Sequence, residues 1–296
     1  MKHFLEISQL LDEDVHRLIQ RALYFKTCHE YPNLSHCTLA NLFYEASTRT
    51  RVSFEMAAKN LGMRVINMDL TRSSESKGEM IEDTIQNLFA MGIQLFVIRH
   101  PHAGLPQAMA GAFSNGIHII NAGDGAHEHP SQALLDMMTI LSHKPNLAAL
   151  KIAIVGDILH SRVAGSMQYL CALLGVGELV LVAPEIWQPK STIYGRVTSS
   201  LQEGLQDADV VIVLRIQKER LAPEEKLDLN TYRNTYGITK ANFNGVRSDV
   251  MLMHPGPINR GVEIDSDVAD GAHSYILEQV KNGVFMRMAI LEALQS

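Results

Sequence analysis

The sequence predicts an α/β protein built from two doubly wound parallel-sheet domains. Three observations carry this. Short Val-, Ile- and Leu-rich runs alternate with helical patterns along most of the chain. The runs are apolar throughout, not at every second residue, as in strands covered on both faces. The βαβα order begins twice, near Thr38 and again at Lys151. A length of 296 residues suits about two domains.

The elements follow in order. A first helix is expected from near Ser8, with Leu10, Leu11, Val15, Leu18 and Ile19 on one face. TLANLFYE (38–45) reads as a buried strand. The next helix runs from about Thr48 to Asn60, with Gly62 as a stop just beyond it. MRVINMDL (63–70) is a second strand. TRSSESKGEM (71–80) has almost no apolar content and reads as an exposed loop. Helix, strand, helix and strand are then expected at 81–92, 93–100, 105–114 and 116–123. PSQALLDMMTILSHK (130–144) is a helix with Pro130 at an early position and Leu134, Met137, Met138 and Leu141 on one face. The two domains join near it. The second set comprises strand 151–157, helix 161–175, strand 177–184, helix 200–208, strand 209–215 and a short strand with its loop at 251–257. The C-terminus is helical from about His273. No internal repeat or low-complexity tract interrupts this order.

Composition narrows the function. Apolar residues make up 46% and charged residues 20%, enough for a sizeable core. The net charge of −6 argues against a general nucleic-acid binder, so any anion site must be built locally. Acidic residues interrupt the apolar N-terminal run, which is therefore not a secretory signal. No stretch approaches the roughly 18 apolar residues of a membrane span. Cys28, Cys37 and Cys171 are scattered without a CxxC pair, consistent with a reduced, cytoplasmic protein.

One stretch stands out. STRTR (47–51) falls where an apolar strand gives way to a helix. Helix N-termini present free N–H groups and partial positive charge, which suits phosphate. Ser47, Thr48 and Thr50 add hydroxyls, and Arg49 adds a planar fork. Arg49 and Arg51 stand two apart and point in nearly opposite directions on a helix, so only one is expected in the site. A capped helix with solvated arginines is the plain alternative. The hydroxyl density and the strand–helix junction favour the anion site.

STRTR followed by SFE resembles the carbamoyl-phosphate motif of the transcarbamoylases, the aspartate/ornithine carbamoyltransferase family. SSESKGE (73–79) resembles the family's mobile lysine loop, RHP (99–101) its carbonyl-binding arginine, and HPSQ (129–132) its HPTQ motif. The likeness covers nearly the whole chain, in order. HPGPINRGVE (254–263) has no cysteine where the ornithine branch carries one, and VLRIQKER (213–220) and VGDILHSR (155–162) resemble the aspartate branch. Physical chemistry agrees: two arginines after strand ends, Arg162 and Arg215, suit the two carboxylates of aspartate.

The resemblance implies carbamoyl transfer from carbamoyl phosphate to L-aspartate, a step of pyrimidine (UMP) biosynthesis, with no cofactor and no metal. By resemblance, Ser47, Thr48, Arg49 and Thr50 hold the phosphate, completed by Ser73 and Lys77 from the loop. Thr50, Arg99 and His129 polarise the carbonyl. Gln132 and the backbone carbonyls of Gly256 and Pro257 receive the carbamoyl NH₂. Lys77, Arg162, Arg215 and Gln217 face the aspartate. The phosphate can itself take the amine's proton, so no general base is assigned. The implied domains are 1–135 for carbamoyl phosphate, with a C-terminal helix (275–296) packing back on it, and 145–274 for aspartate. A homotrimer with sites shared between subunits is also implied; a regulatory chain or a dihydroorotase partner is left open.

Three alternatives stand beside this. One is a transcarbamoylase acting on another amine. Another is a metal-dependent hydrolase, from the His100/His102 and His127/His129 pairs with Asp124 and Glu128 nearby. The third is a nucleotide-binding module at KIAIVGDILHSRVAGS, which lacks the G-x-G-x-x-G fingerprint.

Overall fold

The computed structural model describes residues 1–70, 80–113, 116–217, 221, 223–243 and 246–295. The chain divides into two compact units, residues 1–135 with 281–296, and residues 136–280.

The first unit holds a four-stranded sheet of β1 (Thr38–Phe43), β2 (Arg64–Asp69), β3 (Leu95–His100) and β4 (His118–Asp124), in the order β2-β1-β3-β4. Every pair is parallel. All six residues of β1 are buried, as are Leu95 to Arg99 of β3, which explains their unbroken apolar runs. Around the sheet come α1 (Asp12–Cys28), α2 (Thr48–Asn60), α3 (Ile81–Ala90) and α4 (Leu105–Ala112). One core cluster joins Leu42, Phe96, Ile98 and Ile119 of the strands to Ile85 of α3 and Met109 of α4.

The start of the chain departs from expectation. No helix begins at Ser8: a single 3₁₀ turn spans Ile7–Gln9, α1 begins at Asp12, and Leu11 is 67% exposed instead of facing the core. Backbone pairing explains this. Phe4 donates to Ile119 O (2.9 Å), and Asn121 donates to Phe4 O (2.8 Å), so the preceding residues extend along β4. Asp12, Glu13 and Asp14 then fill the first turn of α1, where acidic groups suit the helix dipole.

Helix α5 (Pro130–His143) is buried on every side from Pro130 to Ile140, where one apolar face was expected. Its polar residues Ser131, Gln132, Asp136 and Thr139 are buried along with the apolar ones. Helix α10 (Ile276–Ala293) ends among first-unit residues. Glu292 accepts two 2.6 Å hydrogen bonds from Arg21, and the Arg287 guanidinium lies 5.0 Å from the centre of the Phe54 ring and donates to Ser131 Oγ (3.4 Å).

The second unit holds a five-stranded parallel sheet of β5 (Lys151–Val155), β6 (Glu178–Val182), β7 (Arg196–Thr198), β8 (Val210–Val213) and β9 (Met251–Met253), in the order β7-β6-β5-β8-β9. Its helices are α6 (Arg162–Leu173), α7 (Leu201–Leu205), α8 (Leu229–Tyr236) and α9 (Ser266–Ala269). Sequence periodicity missed β7, α8 and α9. β7 and α9 are a few residues long, and α8 (LNTYRNTY) is mostly polar. The Asp228 carboxylate caps α8 through Thr231 N (2.7 Å), and buried Tyr232 packs 5.3 Å from the Trp187 ring centre.

Candidate active site

In each sheet the strand order reverses at one place. In the first the chain runs from β1 outward to β2, then returns to β3 and β4 on the other side. The switch point lies between β1 and β3, where open α/β sheets bind ligands at the carboxyl ends of the strands. STRTR follows β1, and Arg99 is the next-to-last residue of β3, paired in register with Phe43. Tyr44 donates to Arg99 O (2.9 Å), locking the two strand ends together.

Ser47 is the N-cap of α2, but its side chain makes no capping hydrogen bond, and no acidic residue lies in the first turn. The positive end of this helix is thus not neutralised by its own sequence. Thr48 and Arg49 are exposed there, Ser47 is half-buried and Thr50 is buried. Arg99 is 9% exposed, and its side chain is aimed by two contacts: Nη1 donates to Ala122 O (3.2 Å), and Nε lies 3.3 Å from a Glu45 carboxylate oxygen.

His129 and Gln132 come from the loop after β4 and the start of α5, and both are buried. The His129 carbonyl accepts from Gln132 N (3.0 Å), beginning the helix. Asp124, 1% exposed, organises this loop. Its carboxylate accepts from Asn121 Nδ2 (2.9 Å), Gly104 N (2.7 Å) and Glu128 N (3.2 Å), and meets His127 Nδ1 (3.1 Å). Gly125 (φ 49°) lets the loop touch its neighbour, since a Cβ there would stand 2.9 Å from Pro101 O. Sequence reasoning weighed Asp124 only as a metal ligand; Asp–Gly at a strand end was the signal for this organising role.

In the second unit the reversal lies between β5 and β8. Gly156 (φ 134°) closes the gap there, because a Cβ would stand 3.1 Å from Leu214 Cβ. Arg162 is the first residue of α6 and is 5% exposed. Ser161 Oγ accepts from Ala164 N (3.2 Å), capping that helix. Arg215 and Gln217 follow β8, both half-buried, and Gln217 Nε2 donates to His160 O (3.4 Å). The sheet therefore brings the loops of Arg162 and Arg215 side by side. Asp157, fully buried, faces His160 Nδ1 at 2.8 Å; burial pushes its carboxyl above the usual range while His160 pulls the other way. Gly256 and Pro257 follow β9, next to β8.

Ser73 and Lys77 lie outside the described residues. Among the described residues, the one group of three side chains close enough to share a metal ion is Glu6, His127 and Glu128. It contains neither His129 nor the His100/His102 pair; there the His102 N–H donates to His100 Nδ1 (3.0 Å). The His-x-His pairs weighed as metal ligands are therefore not brought together with a third ligand.

The chain matches known proteins over its whole length. It is 61% identical over 294 residues to an aspartate carbamoyltransferase catalytic subunit of Legionella pneumophila (strain Lens), covering 99% of both chains. Its fold superposes on aspartate transcarbamoylase from Trypanosoma cruzi, solved with carbamoyl aspartate and phosphate, with a TM-score of 0.87, 30% identity and coverage of 98% and 95%. The catalytic subunit of M. jannaschii aspartate transcarbamoylase gives a TM-score of 0.86 at 35% identity, with coverage of 99% and 98%. The family description "aspartate/ornithine carbamoyltransferase" matches residues 2–142 as the carbamoyl-phosphate-binding domain and residues 148–294 as the aspartate/ornithine-binding domain. With both domains matched and both switch points furnished as described, the chain belongs to the aspartate/ornithine carbamoyltransferase family.

Proposed function

We propose that the chain transfers the carbamoyl group of carbamoyl phosphate to the amine of L-aspartate, giving N-carbamoyl-L-aspartate and phosphate. The observation that carries the donor half is the start of α2. It is a helix N-terminus at a switch point, uncapped by its own Ser47 and rich in hydroxyls and arginine. Such an end binds phosphate through N–H groups, dipole and guanidinium together. Ser47, Thr48, Arg49 and Thr50 would hold the phosphate, with Ser73 and Lys77. Arg99, His129 and Thr50 would stabilise the oxyanion of the tetrahedral intermediate. Gln132 and the carbonyls of Gly256 and Pro257 would take the carbamoyl NH₂. Arg162, Arg215, Gln217 and Lys77 would hold the aspartate. The amine attacks the carbonyl carbon, the C–O bond to phosphate breaks, and phosphate leaves with the amine's proton. Catalysis then rests on positioning and charge stabilisation, without a covalent enzyme intermediate.

The working unit in this proposal is a cytoplasmic homotrimer. Val52 and Met56, one turn apart on α2, and Ile66 on edge strand β2 are 46%, 45% and 41% exposed, apolar surface of the kind that supports association. Among the described residues, no helix is long and apolar enough to cross a membrane.

The test is an assay of the purified chain with carbamoyl phosphate and a panel of amines. Aspartate should be the preferred acceptor, and Arg49→Ala should lower kcat by roughly 10²–10³-fold with the fold intact. Comparable turnover of ornithine would overturn the acceptor assignment, and near-normal kcat in the variant would overturn the anion site.

A further inference from the structure

The turn after β9 is held from behind by two buried ionisable side chains. His254 is 2% exposed and Glu263 is 0% exposed. His254 Nδ1 accepts the Gly256 N–H at 2.8 Å. A nitrogen that accepts carries no proton, so in the neutral ring the proton sits on Nε2. Nε2 faces Glu263 Oε1 at 3.3 Å. That same oxygen accepts the Asn259 N–H at 2.5 Å. Both ends of the turn 254–259 are thereby tied to one carboxylate.

The ties continue outward. The His254 N–H donates to Gln279 Oε1 (2.9 Å), whose Nε2 donates to Asp136 Oδ1 (2.7 Å) on α5. Asn259 Nδ2 donates to Ile216 O (3.3 Å), between Arg215 and Gln217. A buried carboxylate is costly, and an apolar pair of the same volume would serve packing as well. Here the polar atoms are spent on the turn's own backbone N–H groups. Each planar peptide unit carries the carbonyl of the preceding residue, so these bonds fix the Pro255 and Ile258 carbonyls directly, and Gly256 and Pro257 are held between two fixed peptide planes.

We propose that His254 and Glu263 are positioning residues, which orient the Gly256 and Pro257 carbonyls for the carbamoyl NH₂ without touching substrate. This rests on the carbamoyl-transfer reading above. Its readout is a split between kcat and KM, because a misaimed carbonyl degrades the reacting geometry more than the capture of aspartate.

Three variants at one position separate the ring's two jobs. His254→Asn keeps an acceptor near the Nδ1 position, His254→Gln keeps a donor near the Nε2 position, and His254→Leu keeps neither. In the full chain, kcat should stay within about tenfold of wild type for His254→Asn and fall by roughly 10²-fold for His254→Leu, with KM for aspartate changed by less than about threefold. Tm measured on the same samples removes unfolded protein from the comparison. Equal losses in the Asn and Leu variants, or wild-type kcat in a folded Leu variant, would overturn the proposal. If the Leu variant does not fold, His254→Gln decides: it lacks the acceptor for Gly256, so wild-type kcat there overturns the proposal and reduced kcat with unchanged KM supports it. A wild-type chain inactive in this assay would instead remove the carbamoyl-transfer reading itself.

Discussion

Two serines at two helix starts do opposite work. Ser161 spends its hydroxyl on Ala164 N–H, leaving Arg162 as the first helical residue with its side chain buried. Ser47 occupies the same position at α2 and makes no such bond, so the start of α2 has no side-chain cap. The same residue type thus caps a helix in one unit and leaves uncapped, in the other, the helix start proposed to hold phosphate. Arg215 is the half-buried counterpart of Arg162, one strand away. If the two clamp the carboxylates of aspartate, Arg215→Ala should raise KM for aspartate by roughly 10- to 100-fold, the worth of one or two charge-assisted hydrogen bonds. KM for carbamoyl phosphate should change little. Steady-state kinetics with each substrate varied in turn check this; equal effects on both would move Arg215 out of the acceptor site.

At the scale of elements, the N-terminal segment pairs with β4 through one bridge, Phe4 to Ile120, and carries a titratable clasp. His3 Nδ1 accepts the Ile119 N–H at 3.1 Å, beside the Phe4 pairing with β4. Burial, then Lys2 and His118, push the His3 imidazole from 6.5 down to about 4. The fold therefore prefers the neutral ring. The stability this represents is intact above about pH 6.5 and is lost as pH falls toward 4. His3→Asn supplies a neutral acceptor that does not titrate there. Its Tm should fall less than that of wild type between pH 7.5 and pH 4.5. Parallel acid limbs for the two proteins would show that the clasp contributes nothing.

For the whole molecule, the proposed trimer makes one demand that a monomer cannot meet. Lys77 and Arg162 of one working site would come from different chains. Lys77→Ala and Arg162→Ala should then each be nearly inactive as pure oligomers. Co-refolded into mixed trimers, they should recover about a third of wild-type activity, because one interface in each hybrid unites the two intact residues if sites act independently. Mixing without dissociation should recover nothing. Size-verified hybrids as inactive as their parents would place Lys77 within its own chain's site or outside catalysis.

The sequence by itself determined the α/β class, the strands of both sheets except β7, and the STRTR, RHP and HPSQ stretches, because apolar runs and strand–helix junctions are local signals. Local signals fail where a contact distant in the chain decides. The first helix is expected from near Ser8, yet residues 3–7 pair with β4 and Glu128 more than 100 positions away, and the helix begins only at Asp12. The polar α8 forms around a single buried tyrosine, Tyr232. Only the tertiary structure decided the strand order, and with it the two switch points that set Arg99 beside the start of α2 and the Arg215 loop beside that of Arg162. It also decided that Asp124 and Glu263 are buried and face backbone N–H groups. A buried carboxylate must find donors, and which donors lie within reach is a property of the packed chain, not of its neighbours in sequence.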